Sequence, residues 1–325
     1  MQLDDTYLQQ LFEAISQAHA ALRPQVAVTP LIHSVALSAM TGCEVHLKCE
    51  HLQHTGSFKF RGASNKIRLL PEAQRQSGVI TASSGNHGQA LALAGKTLGV
   101  PVTVYTTATA SRVKLDAIRA QGAEVVSLDT DPLSVELEAA RQAGLQGKPF
   151  VSPYNDAQVI VGQGTIGMEL HEQAEQLDAV FVAVGGGGMI SGIATALNWL
   201  SPSTQIIGCW PAVAPTLQKS LEVGAIIDME EGETLSDGTA GGVEPGSITF
   251  ALCQQLLDRT VLVSEQEIKA AMRDVAASER WIIEGAAGVA VAAMQKLAPE
   301  YRGKRVAVVI CGRNITLEKF LGAVA

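Results

Sequence analysis

The sequence predicts an α/β protein built on parallel sheets with helices on both faces. From Val79 onward, short β-branched runs alternate with helical stretches, the pattern of strand–helix–strand units. Several runs, notably 179–184 and 306–310, are apolar without a break, as strands buried on both faces must be. The turns after three of the runs are polar and contain glycine. In open α/β sheets, ligands bind beyond the carboxyl ends of strands.

Taken in order, residues 79–82 read as a strand (Val, Ile, Thr) and 88–98 as a helix. Residues 102–106 alternate Val and Thr and read as a strand, followed by a helix over 112–120 that Gly122 stops. A strand over 124–128, a helix over 133–143 and a short strand over 150–152 come next. Residues 159–161 form a meagre strand, and 164–176 read as a helix. Strands over 180–184, 205–210, 261–263 and 306–310 follow, with helices between them. The three turns are Ser83-Ser84-Gly85-Asn86-His87-Gly88, Gly185-Gly186-Gly187-Gly188 and Cys311-Gly312-Arg313-Asn314.

The chain has 325 residues, enough for two domains at about 150 residues each. Hydrophobic residues make up 47% and charged residues 17%, which excludes intrinsic disorder. Lys plus Arg is 24 against 32 for Asp plus Glu, a net charge of −8. An acidic chain is a poor partner for nucleic acid or an anionic membrane. The five cysteines form no Cys-x-x-Cys pair and their number is odd, so neither a disulfide framework nor a zinc knuckle is expected. Free thiols point to a reducing compartment. The first 11 residues carry Asp4 and Asp5 and no basic run, unlike a signal peptide, and no stretch has about 18 unbroken apolar residues. A soluble cytoplasmic protein is expected.

Gly185 to Gly188 follow an apolar strand and precede a helix starting near Met189. Backbone amides without side chains can approach an anion closely, and a helix start adds positive potential, so this turn reads as a phosphate cradle. Its alternative is a merely flexible turn, at a high entropic cost for four glycines. No Gly-Lys-Ser/Thr follows, which excludes a nucleoside-triphosphate loop. Gly162-Gln163-Gly164-Thr165-Ile166-Gly167 matches the dinucleotide fingerprint G-x-G-x-x-G, but no acidic residue ends a second strand about 20 residues on. A tightly packed helix start accounts for it better. Lys59 lies between Phe58 and Phe60. An apolar setting lowers a lysine pKa and makes the amine nucleophilic, whereas on spacing alone a surface lysine beside core aromatics serves as well. His51 and His54 could share a helix face, yet no further ligand completes a metal site, and no Gly-x-Ser-x-Gly elbow occurs.

Taken together, these segments resemble the fold-type II pyridoxal phosphate enzymes, in the branch of threonine/serine dehydratases and serine racemase. Five motifs stand in the family's order: Thr29-Pro30-Leu31, Gly56-Ser57-Phe58-Lys59-Phe60-Arg61-Gly62-Ala63, Ser83 through Ala90, Gly162-Gln163-Gly164-Thr165, and Gly185 through Gly188. The resemblance implies a tryptophan synthase beta-like α/β fold of two domains, each an open, mostly parallel sheet flanked by helices. The large one would take residues 1–69 with 153–325, and the small one 70–152. It implies pyridoxal 5'-phosphate held by Lys59 as a Schiff base, Phe58 packed beside it, and Asn86 bonded to the ring's 3-oxygen. Gly185 to Gly188 and the Met189 amide would hold the phosphate, and Cys311 would face the pyridine nitrogen as a weak, neutral partner. The substrate carboxylate would bind at Ser83, Ser84, Asn86 and His87.

The implied reaction is loss of the β-hydroxyl and then ammonia from a 3-hydroxy amino acid, with Lys59 taking the Cα proton. A 2-oxo acid results. Ser84 matches the serine that serves the opposite face of Cα in racemases, so amino-acid racemisation is the alternative; an oxidoreductase reading of 162–167 comes last. A homodimer is expected. This chain departs from the family at four places. Gly208-Cys209-Trp210-Pro211 replaces a Gly-x-Glu-Pro turn that supplies a cation ligand, so no metal is expected there. Arg313 stands where glycine is usual. Val135 falls where serine racemase has an arginine. Gly241, in Asp237-Gly238-Thr239-Ala240-Gly241-Gly242, replaces a serine near the substrate side chain and leaves room for a group as large as that of 3-phenylserine.

Overall fold

The computed structural model describes residues 3–325; Met1 and Gln2, where the reading of the N-terminus begins, lie outside the described residues. The chain opens with α1 (Asp5–Leu22), capped by Asp4, whose side chain accepts from the Tyr7 amide. β1 (Leu31–His33), α2 (Val35–Thr41) and β2 (Glu44–Lys48) follow, then a 3-10 turn over Glu50–Leu52, α3 (Lys59–Arg68) and α4 (Glu72–Ser77). Next come β3 (Val79–Ala82), α5 (Asn86–Leu98), β4 (Val102–Thr107), α6 (Arg112–Ala120), β5 (Glu124–Leu128) and α7 (Pro132–Gln146). The remainder is α8 (Ala157–Gln173), β6 (Ala179–Ala183), α9 (Gly188–Leu200), β7 (Gln205–Pro211), α10 (Thr216–Val223), α11 (Ile248–Leu256), β8 (Arg259–Val263), α12 (Glu265–Glu279), α13 (Gly285–Leu297), β9 (Arg305–Val309) and α14 (Leu317–Val324).

Two sheets result. One has six strands in the order β1-β2-β9-β6-β7-β8, antiparallel only between β1 and β2. The other has three parallel strands, β3-β4-β5. β6 is buried at every position and β9 at all but its first, which explains their unbroken apolar runs. The strand order brings together segments far apart in the chain. β9 lies between β2 and β6, so the turns after β6 and β9 emerge side by side from one sheet edge.

Three sequence expectations change. Residues 150–152 form no strand: Phe150 makes a single bridge to Ile80, between Pro149, which has no N–H, and Pro153. Residues 159–161 are helical rather than extended, because Asp156 accepts from the amides of Gln158 and Val159 and starts α8 seven residues before Gly164. The glycines of the 162–167 run therefore lie inside a helix. A Cβ on Gly162 would fall 2.6 Å from the Arg61 carbonyl oxygen, and one on Gly167 would fall 2.8 Å from the Ala196 side chain. They are small to let helices touch, and there is no turn there to bind a dinucleotide. His51 and His54 share no helix face either. His51 ends up buried against Trp281 at 4.6 Å, its pKa pushed down to about 4 by burial, while His54 packs edge-on to Phe60.

Candidate active site

The three glycine-containing turns meet. Ser83 to His87 of the first, Gly185 to Gly188 of the second, and Cys311 and Asn314 of the third line one cleft of about 950 Å³ together with Phe58, Lys59 and Glu284. Lys59 reaches it through backbone pairing: Ser57 bridges Gly312 in antiparallel sense, and the Phe58 amide donates to the Cys311 carbonyl at 3.1 Å. That contact fixes the first turn of α3 beside the end of β9. Lys59 Nζ donates to the Pro153 carbonyl at 2.7 Å and lies 5.2 Å from the Phe58 ring centroid. Burial lowers its pKa to about 8, against the opposing pull of the Glu284 carboxylate. With that value roughly a quarter of the amines are neutral at pH 7.5, against about a thousandth for an ordinary lysine. The amine is therefore a ready nucleophile for a carbonyl carbon.

A buried ion cluster holds α3 from the other side. Arg61, two residues after Lys59, bonds Glu50 through Nε and Nη2 at 2.8 Å and Glu169 through Nη1 at 2.7 Å. Lys48 Nζ bonds Glu169 at 2.6 Å. All four side chains are buried.

The turn after β6 is built for close approach. A Cβ on Gly186 would fall 2.4 Å from the Tyr154 ring, one on Gly188 2.9 Å from the Tyr154 Cα, and one on Gly185 2.9 Å from the Thr239 Cα. Gly187, at φ +87°, is the N-cap of α9, and no side chain caps this helix. The glycines are thus demanded by packing, and the first amides of α9, Gly188 and Met189 among them, face the cleft without a capping partner. This arrangement suits a phosphate.

The turn after β3 repeats the device. α5 starts at Asn86 after Gly85, again with no side-chain cap. Ser83 Oγ accepts from the Gly85 amide at 3.2 Å, and Ser84 lines the cleft half-buried. The His87 imidazole is 2% exposed, bonds the Val151 carbonyl at 3.3 Å, and has its pKa pushed down to about 3 by burial and by the Lys59 charge. The imidazole is neutral and its Nε2–H is directed at the Val151 carbonyl, so His87 is left to offer an anion its main-chain amide.

Glu284 is the group that sequence reading missed. It stands at the N-cap of α13 without capping that helix. Its oxygens accept from Asn86 Nδ2 at 2.9 and 3.1 Å and from the Asn314 amide at 3.0 Å. Asn314 Nδ2 donates in turn to Asn86 Oδ1 at 2.6 Å. Burial raises the pKa of Glu284, and Asn86 opposes the rise. Cys311 Sγ lies 4.0 Å from Glu284, and burial holds the thiol far above its usual pKa, hence neutral. An acidic residue before a helical Gly-Ala-Ala-Gly run reads as an ordinary cap, and nothing local marks it out.

At the outer end, Gly241 lines the cleft at φ +124°, with nothing within 4 Å of a Cβ built on it. Val135 lines it too. Away from the cleft, Trp210 fills space against Gly208 and is 1% exposed. Among the described residues, no three His, Cys, Asp or Glu side chains are grouped as a metal site.

An open α/β framework that joins a desolvated lysine to a glycine-built anion cradle defines a site for a cofactor bearing both an aldehyde and a phosphate. The residues fit such a group: burial favours the neutral amine of Lys59, a Cβ on Gly185, Gly186 or Gly188 would collide with Thr239 or Tyr154 and distort the turn, and α9 begins without a side-chain cap. The family model described as "pyridoxal-phosphate dependent enzyme" matches residues 22–312, and the chain belongs to that family. It is 42% identical to the L-threonine ammonia-lyase of Thermotoga maritima over 93% of this chain and 75% of that one. It is 37% identical to the L-threo-3-hydroxyaspartate ammonia-lyase of a Pseudomonas species over 90% of this chain and 91% of the other. Its fold is similar to that of threonine deaminase isoform 2 from Solanum lycopersicum, with a TM-score of 0.94, 34% identity, and coverage of 99% of this chain and 89% of that one.

Proposed function

We infer that the chain is a pyridoxal phosphate-dependent ammonia-lyase that converts a 3-hydroxy amino acid to a 2-oxo acid and ammonia. The observation that carries this reading is the meeting of Lys59, the Gly185 to Gly188 cradle and the Ser83 to His87 turn in one cleft. When bound, the cofactor supplies an electron sink for charge that develops at Cα. Lys59 would hold its aldehyde carbon, and its Nζ would accept the proton from the substrate Cα. The amides of the Gly185 to Gly188 turn and of Met189 would hold the phosphate, and Phe58 would pack beside the ring. Cys311 would meet the ring as a neutral thiol, which would not enforce full protonation of the pyridine nitrogen. Asn86 would bond the ring's 3-oxygen in exchange for part of its contact with Glu284. The amides of the α5 start and the hydroxyls of Ser83 and Ser84 receive the substrate carboxylate. The room at Gly241 suits substrates from serine and threonine up to 3-phenylserine.

Racemisation is the second reading, favoured by Ser84, whose side chain lines the cleft. The same proposal includes a large unit of residues 1–69 with 153–325 and a small one of 70–152, supported by the two separate sheets. It also includes a cytoplasmic homodimer; the five buried free cysteines suit that compartment. The test is 2-oxo acid release from a panel of 3-hydroxy amino acids of both configurations. Turnover with the visible band of the bound cofactor is expected, both lost together in Lys59→Ala. A tenth of the activity surviving in that variant refutes the role of Lys59. Inverted substrate without 2-oxo acid would turn the reading to a racemase.

A further inference from the structure

Selectivity for the substrate's side-chain charge is written in the cleft walls, and this inference rests on the ammonia-lyase reading above. Two glycine turns, at the starts of α5 and α9, supply uncapped main-chain amides for anions. The substrate carboxylate and the cofactor phosphate take these. The side chains around them carry the other sign. Glu136, Asp228, Asp237, Glu244 and Glu284 line the cleft, and among the described residues no arginine does. Of its two lysines, Lys59 is committed to the cofactor, and Lys114 is already paired with Asp237 at 2.9 Å. His87 is neutral.

We propose that Glu136 and Glu244 act as a charge filter that admits hydroxy amino acids with a neutral or cationic side chain and rejects one bearing a second carboxylate. The two residues approach from different parts of the fold. Glu136 lies on α7, over the three-stranded sheet, and Glu244 lies in the loop before α11. Both are half-buried. Glu244 Oε1 is fully buried and has no hydrogen-bond partner among the described residues. Burial and the charge of Glu244 raise the pKa of Glu136, so the pair already repel each other. A cation or a hydrogen-bond donor on the substrate would relieve that repulsion, whereas a further carboxylate would add to it in a site that also holds the cofactor phosphate. Like charges brought together at a partly desolvated contact cost several kcal/mol. Glu136 and Glu244 are thus specificity residues, distinct from the groups that perform the chemistry.

The experiment compares kcat/KM for threonine and for threo-3-hydroxyaspartate in the holoenzyme and in the Glu136→Gln/Glu244→Gln variant. The expected preference for threonine is roughly a hundredfold or more at low ionic strength, shrinking with added salt. In the variant it narrows about tenfold, with the cofactor's absorption band retained as evidence of an intact site. Equal turnover of both substrates by the wild-type enzyme overturns the filter, as does a variant that leaves the ratio unchanged. The filter is also read without turnover, by titrating alanine, 2,4-diaminobutyrate and aspartate against the cofactor's absorption. Weaker binding of aspartate, relieved in the variant, supports it; equal binding of all three refutes it. Discrimination in the titration with no 2-oxo acid from any hydroxy amino acid refutes the lyase reading and leaves the filter standing.

Discussion

Replacing Arg61 by methionine removes one of four buried charges and leaves Glu50 and Glu169 to share Lys48. The guanidinium makes four bonds of 2.7–2.8 Å to the two carboxylates and two of 3.2 Å to Thr165 and Thr29. Breaking a buried ion pair by removing one partner costs about 3–5 kcal/mol, because the remaining charge is uncompensated. A chain of 325 residues gains about 0.7 kcal/mol per kelvin in unfolding entropy, so the melting temperature of Arg61→Met should fall by about 4–7 °C. Differential scanning calorimetry of the holoenzyme measures it. Adding Glu169→Gln restores neutrality, since Lys48 and Glu50 then balance, and part of the loss should return as a favourable coupling between the two changes. A fall below about 1 °C, or a double variant no more stable than the sum of the singles, would refute the view that charge imbalance in this cluster is what matters.

Cofactor uptake by the apoenzyme should rise about tenfold per pH unit below pH 8 and level off above it, because the neutral Lys59 amine is the reacting form and burial sets its pKa near 8. Stopped-flow absorbance gives the rate, and a profile still climbing steeply at pH 9.5 would contradict the lowered pKa. Gly186→Ala, whose Cβ would meet the Tyr154 ring at 2.4 Å, should weaken cofactor retention by about 1–3 kcal/mol, or 5- to 150-fold, as read by the absorption left after gel filtration. Chelator should change neither the melting temperature nor the initial rate, because Trp210, buried within β7, offers no oxygen ligand, and Glu222 is bonded to Lys219 and Gln218. A loss on adding EDTA that magnesium restores would reveal a cation site elsewhere.

The strands, the helices that follow them and the glycine turns between were legible because each is a local pattern. An apolar run followed by glycine and then a helical period means the same thing wherever it sits. Residues 185–188 could thus be picked out as an anion-binding turn, and 83–88 as a polar ligand-facing turn at a strand end, without any knowledge of what faces them. The first 78 residues were less legible. β1 and β2 are short, and β2 has a half-polar face, so its identity depends on pairing with β9, which lies more than 250 residues away in the chain. The run at 162–167 shows the opposite hazard: a correct local pattern whose meaning was set by the helices packed against it.

What the sequence by itself determined, then, is the menu of parts: a lysine set among aromatics, three polar glycine turns at strand ends, and the acidic balance of the whole. Only the tertiary structure decided which parts meet. It set β9 beside β6, so that Cys311 and the Gly185 to Gly188 turn share an edge. It brought Glu284 against Asn86 across 198 positions of chain, and turned Glu136 and Glu244 into one cleft. The physical reason is that backbone propensity and periodicity act over a few neighbouring residues, whereas burial, charge repulsion and a shifted pKa arise from whatever the folded chain brings within a few ångströms.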